Sequence, residues 1–416
     1  MSVLQAQSAV GLLALTALAW ALGRFRRGVT WRVIVAGLGL QIILAALMLH
    51  VPPFRYVFVL IGHAVDALAR ATAVGTSLVF GYLGGAPLPF TETRPGGSFI
   101  LFFQALPLVL VVGALSAVLY HWRVLPFVVT WMARGLRRAF GLGGACGFSV
   151  AANVFVGMVE APLLIRAWLA NLSRSDLFVV MTAGLATISG NTLVVYAMFI
   201  APVVPDAAGQ LLTASLIAAP ASVLVALLML PPKRADAVII EVEATAPRLY
   251  DSTMEAVVRG TGDGLTLLLG IMASLIVFVA LVALANEILA PLAGVTLQQV
   301  MGWVFRPLAY AMGVPVSEVP AVARSLGIKV VINEFVAYLE LGQSGGTLSD
   351  RTRLILTYAL CGFTNFGSVG IMVGGMVAMC PDRRADIVKL GLPALVSASI
   401  ACCMTGAVIG LLTPPS

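Results

Sequence analysis

The stretch VVINEFVAYLEL, Val330 to Leu341, sets Asn333 and Glu334 in the middle of a run of Val, Ile, Phe, Ala and Leu. The 416-residue chain around it is 60% hydrophobic and 10% charged, with a mean hydropathy of +1.03. That composition belongs to a protein that crosses a membrane many times. A carboxylate near the middle of a bilayer costs at least a few kcal/mol, so it must face a polar cavity or a partner. Glu334 is therefore one of two things. It is a ligand group, accepting hydrogen bonds from a hydroxylated or cationic solute or carrying a proton. Otherwise it is half of a structural pair with Lys329 or Arg324.

Working outward, runs of about 20 apolar residues fit full crossings. They fall at 5–23, 33–50, 99–120, 176–202, 209–231, 265–290, 352–376 and 390–412. Two more apolar stretches are broken by Gly, Pro or charges and read as re-entrant hairpins. The first, Cys146–Leu172, contains Asn153 and Glu160; the second, Pro320–Leu341, contains Lys329, Asn333, Glu334 and Glu340. Val51–Gly85, with spaced Arg55, His63, Asp66 and Arg70, reads as a partly interfacial segment. WRVLPFVVTWMARGLRRAF (122–140) reads as an interfacial amphipathic helix. The expected fold is an all-α polytopic membrane protein, with eight transmembrane helices and two opposed re-entrant hairpins forming an inverted repeat. Its expected sections are 1–98 (first spans and interfacial segment), 99–142 (third span and amphipathic helix) and 143–232 (first transport repeat). A cytoplasmic loop, scaffold span and connecting helix follow over 233–319, and the second transport repeat over 320–416.

Charge orients this map. With the N-terminus outside, sixteen of the twenty-five basic residues fall on the inner side, six on the outer side, and Arg166, Arg324 and Lys329 in the hairpins. That bias follows the positive-inside rule and places both termini outside an inner membrane, with the hairpins entering from opposite faces. The formal net charge of +7 is then a topology signal, and no nucleic-acid partner is expected. The basic cluster Arg24, Arg26 and Arg27 follows the first apolar stretch, so no removable signal peptide is expected. A second trace of the repeat is a spacing. Glu160 precedes Asn191 by 31 residues, and Glu334 precedes Asn365 by 31. Each Asn lies mid-span among Gly, Ser and Thr, in ATISGNTLVVY (186–196) and CGFTNFGSVGI (361–371). Opposed hairpins, each followed by an interrupted span, are how secondary transporters build a site at the midplane.

The chemistry on offer is polar contact, not bond making. Asn365 and Ser368 share a face and offer an amide and a hydroxyl to a polar ligand, or serve as glue between helices. Phe363 can stack on a planar ring or simply pack. Glu160 can pair with Arg166. Thr187, Ser189 and Asn191, with backbone carbonyls near Asn153 and Val156, can hold a small hard cation such as sodium. The five cysteines lie in or beside apolar runs without ligand spacing and read as packing residues. No metal-binding His–Glu spacing, nucleophile elbow or phosphate loop appears, so no enzyme is expected.

The segments NVFVGMVEAPLLIRAWL (153–169), MTAGLATISG (181–190), NEFVAY (333–338), ALCGFTNFGSVGI (359–371) and GGMVAMCPDRRADIVKLGL (374–392) resemble the concentrative nucleoside transporters over roughly 100–413. The resemblance implies a homotrimer in the lipid bilayer whose transport domain slides against a scaffold. It would carry a nucleoside with sodium, or in some members with a proton. Position by position, it implies ribose contacts from Glu334 and Asn365 with Ser368 nearby, pocket lining by Phe363 and a base contact at Thr192. It implies sodium ligation by Asn153, Val156, Thr187, Ile188 and Asn191. Asn191 stands where many members have serine. Gly157-Met158-Val159-Glu160 stands where many read Gly-Gln-Thr/Ser-Glu, so the base is expected to be held by packing against Met158, Val159 and Phe363, with broad preference. A carrier of another hydroxylated or aromatic solute is the alternative, and a membrane-embedded enzyme or a passive channel lies further off.

Overall fold

Backbone amides in hydrocarbon have no water to bond, so apolar runs of this length close their hydrogen bonds as helix. The computed structural model describes residues 2–25, 28–93, 97–232 and 248–414, with backbone only at 54 and 55. Among the described residues there are helices and turns and no strand. The helices are α1 (Val3–Leu22), α2 (Trp31–His50), α3 (Pro52–Phe80), α4 (Leu101–Gln104), α5 (Leu108–His121) and α6 (Val124–Phe140). Next come α7 (Gly144–Asn153), α8 (Glu160–Leu164), α9 (Arg174–Ala186), α10 (Gly190–Ile200), α11 (Ala207–Met229) and α12 (Thr253–Ala293). The chain continues through α13 (Leu297–Ala311), α14 (Val319–Val331), α15 (Glu334–Ser344), α16 (Asp350–Leu360), α17 (Phe366–Met379) and α18 (Arg384–Leu412). Short polar residues start them where the sequence offers one. Ser2 and Gln5 form a reciprocal capping box on α1, as do Thr296 and Gln299 on α13.

Burial separates an inner group from an outer one. The membrane-length stretches of α9–α10, α11 and α18 are 89%, 89% and 78% buried, against 17%, 17% and 11% for α2, α3 and α12. The outer helix α12 has 41 residues, about 62 Å at 1.5 Å per residue, twice the hydrocarbon thickness. It is held to α5 by small residues. A methyl group on Gly260 would lie 2.6 Å from the Gly113 carbonyl oxygen, and one on Gly264 2.9 Å from that of Val109. This backbone approach is what glycines four apart permit in a membrane.

The structure adds detail to three expectations. The segment 51–85, expected to be partly interfacial, is helix α3 followed by a 3-10 turn at Gly81–Gly84, and Tyr56–Gly84 is long and apolar enough to cross by composition alone. It buries Phe58, Val65, Thr72 and Thr76 along one side and exposes His63, Asp66 and Arg70 on the other. The expected span 352–376 is interrupted around Asn365, as its Gly, Ser and Thr content implied: it is two helices, α16 and α17, parted at 361–365, where Asn365 and Gly362 interrupt the ladder. Arg351, one of the six basic residues assigned to the outer side, is 2% exposed in the first turn of α16, enclosed by protein. The expected cytoplasmic loop falls largely on 233–247, outside the described residues.

Arg351 sits at a helix N-terminus, the wrong end for a cation. What holds it is a set of buried acceptors from both ends of the chain. Its Nη1 donates to the Thr413 carbonyl, and its Nη2 to Leu4 O (3.3 Å), Ser8 Oγ (3.1 Å) and Gly313 O (3.4 Å). Replacing Arg351 with Met takes this donor from the Thr413 and Gly313 carbonyls, while Leu4 keeps the Ser8 hydroxyl, at about 2–6 kcal/mol for the two. The expected outcome is a clearly lowered melting temperature of the purified protein; an unchanged one would show the clamp to be dispensable.

Candidate functional site

The site grows from the two places where a span breaks. α9 ends at Ala186 and α10 starts at Gly190, with Ser189 as its N-cap, bonding the Thr192 amide (3.5 Å). α16 ends at Leu360 and α17 starts at Phe366, with Asn365 as its N-cap, its Oδ1 accepting from the Ser368 amide at 2.7 Å. The breaks meet. The Phe363 amide donates to the Thr187 carbonyl (3.4 Å), and Gly362, at φ +146, lies so near the Ala186 carbonyl that a Cβ would come within 2.8 Å of its oxygen. Only glycine fits both the angle and the gap.

Glu334 opens α15 beside these breaks, 5% exposed, with Asn333 capping the helix through the Val336 amide (3.0 Å). Its two oxygens are held separately. Tyr196 donates its hydroxyl to Oε1 at 2.9 Å, and Asn365 donates Nδ2–H to Oε2 at 2.7 Å. Neither Lys329 nor Arg324 pairs with it. Arg324 bonds Glu340 at 3.1 Å, and Lys329 donates to the Ala359 carbonyl at 2.9 Å. The structural-pair reading of Glu334 therefore falls away. Each carboxylate oxygen retains acceptor capacity, and Asn365 retains one N–H. The result is a carboxylate with fixed orientation and spare acceptors, suited to a ligand's hydroxyl groups.

Tyr196 is the residue that sequence reading missed. It stacks on Tyr338 with ring centroids 4.8 Å apart, and the Tyr338 hydroxyl is anchored on the Thr357 carbonyl at 2.8 Å. The signal for it was faint: Tyr196 lies two turns beyond the Ser189 cap, on the same helical face.

In the segment expected to form the first hairpin, α7 ends at Asn153, whose backbone carbonyl accepts from the Thr187 hydroxyl (3.2 Å). The Asn153 side chain is 1% exposed, and neither its nitrogen nor its oxygen has a partner. An amide buried without partners is costly unless something else bonds it. Thr187 reaches Asn153 through the bond above, Val156 and Ile188 being the other expected ligands, and a buried amide whose oxygen is free fits a hard cation. Asn191 does not join that corner through its side chain: its Oδ1 accepts from Ser116 of α5 at 3.2 Å. The equal 31-residue spacings pair Asn191 with Asn365 in number, yet the capping role of Asn365 is played in the first break by Ser189.

At the turn between α7 and α8, Gly157 lies under the Glu160 carboxylate, whose Oε2 would be 2.2 Å from a Cβ there. Glu160 is exposed and forms no ion pair with Arg166 among the described residues. Met158 packs on Gly184 of α9, its Cβ 3.3 Å from where a methyl would stand, and Val159 packs on Gly375 of α17, at 2.9 Å. Thr192 spends its hydroxyl on the Ser189 carbonyl (3.0 Å). From the outer group, Phe278 of α12 reaches Gly367, with a ring carbon 2.6 Å from where a methyl on that glycine would stand. Among the described residues no cluster of His, Cys, Asp and Glu is arranged to hold a metal.

Comparison with known proteins agrees along the whole length. Residues 10–83 match the family described as Na+ dependent nucleoside transporter N-terminus, 210–410 its C-terminus, and 102–203 a domain described as nucleoside recognition. An uncharacterized transporter of Haemophilus influenzae is 35% identical, covering 99% of this chain and 98% of its own. The putative nucleoside permease NupX of Escherichia coli is 32% identical over 97% of this chain and 98% of its own. Sodium/nucleoside cotransporter 1 of Mus musculus is 33% identical over 99% of this chain and 64% of its own. The structure of CNTnw in an inward-facing substrate-bound state superposes with a TM-score of 0.87 at 35% identity, over 98% of this chain and 99% of that one. A doubly substituted CNTnw in an outward-facing state superposes with a TM-score of 0.88 at 33% identity, over 98% of this chain and 97% of that one. These relatives are transporters rather than enzymes, and the chain belongs to the concentrative nucleoside transporter family, whose members cross the membrane many times.

Proposed function

We propose that this protein takes up nucleosides across the inner membrane together with sodium. The observation that carries the reading is Glu334, a buried carboxylate whose two oxygens are held apart by Tyr196 and Asn365. A ribose presents neighbouring hydroxyls, and a carboxylate with spare acceptors beside one amide N–H matches that pattern. Phe363 and Ser368 line the same break, and Gly157, Met158, Val159, Glu160 and Thr192 approach it from the first repeat. Sodium is held by Asn153 with Val156, Thr187 and Ile188, while Asn191 supports the break through Ser116. Sodium is the expected coupling ion, with a proton as the rival that the experiment below separates.

In this reading α7–α8 and α14–α15 are re-entrant hairpins of an inverted repeat, and they move with the broken spans as one carrier. The helix pair α5–α12 belongs to the scaffold, with the exposed apolar side of α12 facing lipid or a trimer partner. The movement is an elevator, supported by the several states in which the relative CNTnw is known. Both chain termini lie outside.

Uptake of labelled nucleosides into proteoliposomes, with and without an imposed sodium gradient, tests the whole reading. Concentration driven by sodium at fixed pH is expected; uptake that ignores sodium and follows a pH gradient would move the coupling to protons. Glu334→Gln loses charge-assisted bonds worth about 1.5–3 kcal/mol, so nucleoside affinity drops roughly ten- to a hundredfold. Tyr196→Phe, which frees Oε1, gives a smaller loss of about tenfold. Near-parental affinity in Glu334→Gln would sink the ribose assignment.

Two further outcomes follow. Asn153→Ala removes a ligand oxygen, so the sodium concentration giving half-maximal uptake rises by about tenfold or more, whereas Asn191→Ala moves it less. An apolar wall discriminates weakly between polar isosteres. The parent is therefore expected to accept purine and pyrimidine nucleosides broadly, and Met158→Gln with Val159→Thr to narrow the range. Competition by a panel of nucleosides, before and after the change, decides it; a strict parent unaffected by the swap would show that this turn does not read the base.

A further inference from the structure

Two pairs of helix ends in this molecule are built alike and finished differently. In the first repeat, the ends of α7 and α9 come together, and the Thr187 hydroxyl bridges them by donating to the Asn153 carbonyl. In the second, α14 and α16 come together in the same way, and the bridge is Lys329, in the last turn of α14, donating from Nζ to the Ala359 carbonyl (2.9 Å) in the last turn of α16. Helix C-termini carry partial negative charge and leave carbonyls unsatisfied, so two converging ends attract a cation. The first pair offers one a buried, unpartnered Asn153 amide. The second pair already has one, covalently attached.

We propose that Lys329 is a resident cation, taking in the second repeat the place that a coupling ion takes in the first, so that the carrier binds one sodium where its repeated architecture has room for two. The lysine is 2% exposed and pairs with no carboxylate among the described residues. Glu334, five residues on, is engaged by Tyr196 and Asn365 instead. Glu334 attracts the ammonium through space without an ion-pair contact, and a buried ammonium lacking such a contact is costly unless local dipoles help to hold it. The helix ends supply those dipoles. Oxygen is also at hand, because Lys329 lines a small cavity with Ala359, Thr364, Ser399 and Cys402, and the Thr364 hydroxyl is buried without a partner. A neutral residue at 329 would leave carbonyl and hydroxyl oxygens with no cation among them.

The inference builds on the sodium reading of the first repeat, and its test separates the two. The melting temperature of the purified full-length protein is followed against sodium chloride, with choline chloride as the ionic-strength control. Each bound ion adds one logarithmic increment of stabilisation, so the limiting slope counts sites. The parent is expected to show one sodium site, Lys329→Arg the same, and Lys329→Asn one more than the parent, about doubling the slope. A Lys329→Asn protein that folds only in sodium supports the proposal as well. A folded Lys329→Asn with the slope of its parent overturns it, as does one that fails to fold in sodium and choline alike while Lys329→Arg folds. A parent indifferent to sodium would remove the first-repeat site, and the gain of a site in Lys329→Asn over its parent would still decide the role of the lysine.

Discussion

The constraint on which the structure turns is the need to keep one carboxylate in hydrocarbon. Glu334 requires donors within reach, and an unbroken membrane helix has none to give, since its amides are all bonded to its own carbonyls. The fold supplies them by interrupting a span. The break before α17 frees Asn365 to cap the helix with its oxygen and still donate its N–H to Glu334. The second donor comes from the other broken helix pair, through Tyr196 of α10. One acidic side chain thus depends on both halves of the molecule, and the two breaks must meet for it to be satisfied.

The same logic explains how the breaks are held. Freed backbone groups near them find partners in the opposite segment: Gly190 N–H on Phe155 O (2.9 Å), Phe363 N–H on Thr187 O, with the Thr187 hydroxyl on Asn153 O beside them. Glycine is used where two backbones must nearly touch, as at Gly362 against Ala186. Broken helices in a membrane are tolerated when protein takes the place of water around the opened ladder. Here it does so on both sides of the gap.

Much of this was legible in the sequence, and the remainder was hidden for identifiable reasons. Glu334 and Asn365 announced themselves because a polar residue in an apolar run has to be explained. Tyr196 did not, because an aromatic residue in a span reads equally as core, as lipid contact or as donor. The enclosure of Arg351 was hidden since charge counts carry no information about burial. Asn191 and Ser189 were confused by a spacing that repeats correctly while the cap sits two residues earlier. The charges spaced along 51–85 marked that segment as partly interfacial, but not that they would fall on one side of a single long helix with Phe58, Val65, Thr72 and Thr76 on the other.

The clamp around Arg351 bears on the helix ends. One guanidinium holds the carbonyls of Leu4 and Thr413, each the fourth residue from its end of the chain. The start of α1 and the end of α18 therefore meet at one point, together with the turn at Gly313. Whatever else moves in the molecule, those three segments travel together.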